Sequence, residues 1–135
     1  MEQVTWKDEY LMGIPEIDSQ HKKIASLIDK LSKSIKPNSV PEVFNDALAE
    51  LGEHVKYHLK YEEQLLKENG YPEYEHHYKS HRKFQEEYTD LAFQAIKGDP
   101  LILIKLRNFI IDWFFQHILE DDQDACDFLK DKNIS

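Results

Sequence analysis

Apolar positions recur at intervals of three and four along most of the chain, and each run of that pattern stops at a turn signal. The first run reads Ile17, His21, Ile24, Ile28, Leu31, Ile35. The second reads Phe44, Leu48, Leu51, Val55, His58, Glu62, Leu65, and the third Tyr74, His77, His81, Phe84, Tyr88, Leu91, Ala95. The fourth begins Leu103, Leu106, Ile110, Trp113, His117. Such spacing keeps one stripe of a helix facing a core. The first break is "IKPNSVPE" (35–42), where Ser39 and Glu42 make a capping box. The second is "ENGYPE" (68–73). In the third, "KGDPL" (97–101), Gly98 closes one helix, Asp99 caps the next and Pro100 takes its first position. The pattern predicts an N-terminal arm over about 1–17 and helices near 18–36, 40–68, 72–97 and 100–131. Four amphipathic helices with short connections predict an all-α, up-down-up-down antiparallel four-helix bundle, one domain spanning 1–135.

Composition narrows the partners. A length of 135 residues is enough for one domain with a core, and a 41% hydrophobic content is globular. The net charge of −9 argues against nucleic acid and anionic membrane, which both call for a basic patch. A single cysteine, Cys126, excludes an internal disulfide and a cysteine-based zinc site. The opening "MEQVTWKDEY" is acidic where a signal peptide is basic, and no apolar run approaches the roughly 18 residues of a membrane span. The expectation is a soluble, cytoplasmic protein.

The candidate chemistry lies inside the seams. Five of the seven histidines, His21, His58, His77, His81 and His117, occupy positions that should be apolar, and Glu62 does so one turn after His58. In "HHYKSH" (76–81), His77 and His81 share a helix face while His76 points elsewhere. His54 and His76 fall off their seams and read as solvated or outlying residues. A lone seam histidine is most often a hydrogen-bonded core residue. Each buried polar group costs roughly 1–3 kcal/mol unless satisfied. Five neutral imidazoles, with one donor and one acceptor apiece, do not satisfy one another. A metal centre resolves the conflict. Up-down connectivity brings His21, His58, Glu62, His77, His81 and His117 toward one end of the bundle.

After His117 the seam of a regular helix continues through Glu120 or Asp121, Asp124 and Phe128, a poor core. One inserted residue restores the apolar phase as Asp122, Ala125 and Leu129, with Cys126 alongside. Such an insertion is a π-bulge, expected between about 117 and 122, and it selects Asp122 as the inward carboxylate. Regular geometry would select Asp121, which is expected instead at the bundle surface, where its replacement should do little. Five imidazoles and two carboxylates exceed one tetrahedral zinc and suit iron among other first-row metals. Two metals bridged by Glu62 and Asp122 would use all seven.

The segments "GIPEIDSQH" (13–21), "HLKYEE" (58–63), "GYPEYEHHYKSH" (70–81) and "WFFQHILEDD" (113–122) resemble the hemerythrin family, in its single-domain bacterial form, over essentially the whole chain. The resemblance implies two iron ions. One would be held by His77, His81 and His117, the other by His21 and His58, with Glu62, Asp122 and a solvent-derived oxygen bridging both. The second iron would then keep one open position, where dioxygen binds in the family. Ile24, Leu59, Trp113, Phe114 and Ile118 adjoin the ligand positions and are candidates to line a dry pocket, besides packing the core. Leu59 departs from the aromatic residue common in the family after that histidine, which bears on pocket size rather than on the irons.

The resemblance implies reversible dioxygen binding without turnover, as an oxygen carrier, store or sensor. The competing readings are a di-iron oxidase or ferroxidase and a nitric oxide-binding sensor. Carboxylate-rich di-iron enzymes usually bring two Glu-x-x-His motifs. Here the only match, Glu73 to His76, lies off the seam. The absence of a fused output domain leans toward a carrier or store.

Overall fold

The computed structural model describes residues 6–35, 41–96 and 99–133, apart from the side chains of residues 9, 41, 118 and 119. Helix α1 (Pro15–Lys33) begins three residues before the predicted 18. Proline fits the first helical position because it has no N–H to leave unsatisfied there. Asp18 turns away from the helix and accepts from the backbone N–H groups of Met12 (2.8 Å) and Gly13 (3.2 Å). Gly13 has φ 88°, a conformation that costs glycine little. The arm, with a 3₁₀ turn at Asp8–Tyr10, is thereby folded onto the bundle, and Met12 and Ile14 join the core.

Helix α2 (Pro41–Glu68) ends in a Schellman turn. Tyr71 N–H donates to Leu66 O at 3.0 Å, Gly70 N–H donates to Lys67 O at 3.3 Å, and Gly70 sits at φ 69°. Helix α3 (Tyr74–Ala95) starts two residues later than predicted, because residues 71–73 form the turn that follows. Asp99 caps helix α4 (Pro100–Trp113) as predicted, accepting from Leu101 N–H. Ser39 and Gly98, the other predicted end signals, lie outside the described residues.

The predicted fourth helix is one rod in three parts. Helix α4 runs into a π-helical stretch (Phe114–Asp121) and then into α5 (Asp122–Asp131). The π stretch begins three residues before the expected bulge, because the one-residue excess is shared across two turns of widened bonding. Its signature is Asp122 N–H donating to His117 O, five residues back.

Among the described residues the helices form four rods and no strand: α1 packs on α2 and α4, and α3 packs on α2 and α4. The predicted seams are the buried stripes, with Ile35, Tyr74, Tyr88, Leu103 and Trp113 half-buried along them and one position displaced. Leu66 is buried and Leu65 only half-buried, since the face carrying His58 and Glu62 continues four residues on. Away from the histidines the core is apolar, from Ile28, Leu31, Phe44, Leu48 and Leu51 to Phe84, Leu106 and Ile110. No helix among the described residues is long and apolar enough to cross a membrane.

Candidate metal centre

Seven side chains meet in two overlapping groups. His77, His81 and His117 converge with Glu62 and Asp122, and His21 and His58 converge with the same two carboxylates. Within each group one ligand atom per residue lies within 4.8 Å of all the others. All seven side chains are buried, with Glu62 and Asp122 both at 0% exposure. α1 supplies one of them, and α2 and α3 two apiece. His117 comes from the π stretch and Asp122 from the first position of α5.

The contacts are those of atoms converging on a common space. Asp122 Oδ2 lies 3.1 Å from His21 Nε2 and 3.2 Å from His58 Nε2. Its Oδ1 lies 3.1 Å from His77 Nε2 and 3.7 Å from His117 Nε2. Glu62 touches His77 Nε2 directly, and reaches His81 Nε2 at 3.4 Å and His58 Nε2 at 3.5 Å. Yet Glu62 Oε2, His81 Nε2, His117 Nε2 and Asp122 Oδ1 are buried without a hydrogen-bond partner. Buried polar atoms are normally paired. Four unpaired ones aimed at each other mark a place for something positively charged.

The outer nitrogens explain why the inner ones point inward. His81 Nδ1–H donates to Glu63 Oε2 at 2.7 Å. His117 Nδ1–H donates to Asp121 Oδ2 at 3.0 Å, with Ser80 Oγ 3.2 Å from the same nitrogen. His58 Nδ1–H donates to Gln20 Oε1 at 2.7 Å. An N–H committed outward leaves Nε2 of a neutral ring as a lone pair facing the centre, the arrangement of a metal-binding histidine.

Charge gives the same answer. Burial opposes the charged form of His77, but hydrogen bonds to Asp122 and Glu62 outweigh it and raise the imidazole to about 10. His81 moves upward against burial for the same reason, through Glu62 and Glu63. Burial likewise works against the Asp122 carboxylate, and hydrogen bonds from His21, His58 and His77 overcome it and hold the group well below its ordinary value. The two carboxylates thus draw positive charge toward a buried space lined by five imidazoles, a demand that a bound cation would meet. Nitrogen and oxygen donors in that ratio fit first-row transition ions such as iron.

Ile24, Leu59 and Phe114 are fully buried, and Trp113 is half-buried with its ring stacked on His117 at 5.0 Å. The side chain of Ile118 lies outside the described ones. His76 is exposed and His54 half-buried. Asp121 requires a correction. Its side chain is 41% exposed, as expected, but it also accepts from His117 Nδ1–H, so its replacement is expected to reach the site rather than do little. The hydrogen bond from His117 also lowers its own pKa. Gln20, Glu63 and Ser80 escaped sequence reasoning. Gln20 and Glu63 each neighbour a seam position, at His21 and Glu62, but many surface residues share that adjacency, and it does not single them out.

Comparison with known proteins agrees with the geometry. The model of the family described as Hemerythrin HHE cation binding domain matches residues 12–128. The chain is 29% identical over 126 residues to a bacteriohemerythrin of Clostridium acetobutylicum, covering 90% of this chain and 98% of that protein. It is 29% identical over 130 residues to a bacteriohemerythrin of Stenotrophomonas maltophilia (94% and 82% covered). A bacteriohemerythrin of Campylobacter jejuni is 27% identical over 116 residues (86% and 87% covered).

Proposed function

The chain belongs to the hemerythrin family, and from that premise we propose that it binds dioxygen reversibly, as a carrier, store or sensor, without turnover. Dioxygen binding at a non-heme di-iron centre is the function that family membership and the buried cluster support. The assignment of ligands is our reading of the two overlapping groups. In that reading His77, His81 and His117 hold one iron, His21 and His58 hold the other, and Glu62 and Asp122 serve both. One domain carries the whole site.

When bound, the iron pair supplies two electrons and a docking position for dioxygen. The remaining work belongs to the chain. The three-histidine group offers one more nitrogen than the two-histidine group, so the two positions are unequally filled and the less filled one has room for a small ligand. Ile24, Leu59 and Phe114 are apolar and fully buried, and they keep water and proton donors away from that side. Trp113 braces His117 from the flank. None of these side chains supplies an acid or a base, which favours binding over oxidation. A cytoplasmic location belongs to the same proposal: Cys126 is a free, buried thiol, at home in a reducing compartment.

The observation that carries this reading is the sharing of Glu62 and Asp122 between two histidine groups. The test is a metal assay with absorption spectra taken without and with oxygen. About two irons per chain are expected from the two groups, with a visible band that appears on oxygenation and vanishes on deoxygenation. One zinc and no iron, after expression with ample iron, would overturn the di-iron centre. Irreversible oxidation with repeated consumption of oxygen would replace the carrier reading with an oxidase.

A further inference from the structure

The histidines of the two groups are held from outside by different chemistry. In the three-histidine group, His81 is backed by the Glu63 carboxylate and His117 by the Asp121 carboxylate. In the two-histidine group, His58 is backed by the neutral amide of Gln20, and His21 Nδ1 has no hydrogen-bond partner. The amide is not free to turn round. Gln20 Nε2–H donates to Glu16 Oε1 at 3.0 Å, which fixes the carbonyl oxygen toward His58. Gln20 also lines a surface groove of about 450 Å³ between α1 and α2, beside Lys23 and Tyr57. The outer partner of His58 is therefore uncharged, and at 9% exposure it is buried beneath that groove.

An imidazole that donates to a carboxylate is a more basic metal ligand than one that donates to an amide. From this juxtaposition we infer that Gln20, oriented by Glu16, is a positioning residue that makes the two-histidine position the weaker and more exchangeable of the two metal sites, while Glu63 and Asp121 make the three-histidine position the tighter one. The inference rests on the di-iron reading above and adds an order to it: one metal leaves first, and outer residues decide which. It also assigns a use to the polar chain Glu16–Gln20–His58, which packing alone does not require.

The test exploits the Glu16–Gln20 pair. The double variant Glu16→Gln/Gln20→Glu keeps both hydrogen bonds and the net charge, and moves the carboxylate next to His58. Iron release to a chelator is followed by metal assay and by Mössbauer spectra of samples loaded with one and two equivalents of ⁵⁷Fe. The wild-type protein should release its irons in two phases. The double variant should slow the fast phase by about 10- to 100-fold, the usual weight of such outer partners. Glu63→Gln should speed the slow phase and leave the fast one in place. A double variant that holds two irons and releases them as the wild type does would overturn the inference, as would a wild type that releases both in one phase. A wild type that never holds two irons would overturn the di-iron reading instead, so the two failures are distinct. Circular dichroism of each metal-free variant shows whether it has folded. Should the double variant fail to fold, Glu63→Gln alone decides: an unchanged slow phase overturns the inference.

Discussion

His58 and Glu62 on α2 and His117 and Asp122 in the fourth rod do the same thing in two ways. Each pair brings one imidazole and one shared carboxylate to the centre. On α2 the residues are four apart on a regular helix, and that spacing stacks them on one face. In the fourth rod they are five apart across a π-helical stretch. The extra residue does more than turn Asp122 inward. It leaves Asp121 four residues from His117, at the distance where a regular helix would have put the inner ligand, and there it grips the outer nitrogen of the same ring. On α2 the residue after the shared carboxylate, Glu63, backs a histidine too, but on the neighbouring helix α3. Both helices thus give two successive acids two different roles, one inside the site and one behind it, and the bulge is what sets both acids against the same imidazole, His117.

The comparison breaks most readily at Asp122. Asp122→Ala removes the acceptor that His21 and His58 share, and its oxygen near His77. A buried centre of two cations would lose a negative charge that nothing replaces. The expected outcome is loss of most of the iron by metal assay, with Glu62→Ala doing the same from the regular helix. Retention of two irons by Asp122→Ala would mean that the bulge does not present a ligand.

The phase of the rod beyond the bulge is a second handle. The π stretch puts Leu129 in the core at 0% exposure and leaves Phe128 half-buried against Tyr71. Leu129→Ala should cost about 2–5 kcal/mol in urea unfolding, the range for a fully buried leucine. Phe128→Ala should cost less. A regular helix would invert that order, since it would bury position 128 in place of 129.

Asp121→Ala tests the outer half of the division of labour. The change removes the acceptor of His117 Nδ1–H and leaves the inner carboxylates in place. Iron affinity at the three-histidine position should fall by about 10- to 100-fold, measured by competition with a chelator. An unchanged affinity would return Asp121 to the passive surface role expected from the sequence.

The seams and the inward position of Asp122 were legible because each depends on periodicity, and periodicity survives in a bare sequence; the turn after Glu68 and the Asp99 cap were legible from their residue types. Burial of Leu129 and Ala125 with Asp122 required the phase shift that the apolar pattern had already demanded. The start of α1 was less legible. The apolar stripe begins at Ile17, whereas Pro15 and the bonds from Met12 and Gly13 to Asp18 set the actual beginning. The choice of Leu66 over Leu65 turned on a step of four rather than three after Glu62. The outer partners were the least legible. Gln20, Glu63 and Asp121 stand one position off a seam, where most polar residues face water. Asp121 meets His117 only four residues back. What distinguishes Gln20 and Glu63 is a long-range contact: Gln20 meets His58 on another helix, and Glu63 meets His81. Nothing local in the sequence encodes that.

The smallest effect is expected in the run His76, His77, Tyr78, Lys79, Ser80, His81. His77 and His81 are buried at 3% and 0% exposure and face the two carboxylates, whereas His76 is exposed on the other side of the same helix. A rotation of about 100° per residue separates neighbours in a helix, so adjacency in sequence gives His76 no access to the centre. Its replacement removes a solvated side chain and leaves every ligand and outer partner in place. His76→Ala should keep both irons and change unfolding stability by no more than about 0.5 kcal/mol. His77→Ala should lose iron. If His76→Ala lost iron as well, α3 would be rotated from the face described, and the grouping of His77 and His81 with His117 would fall with it.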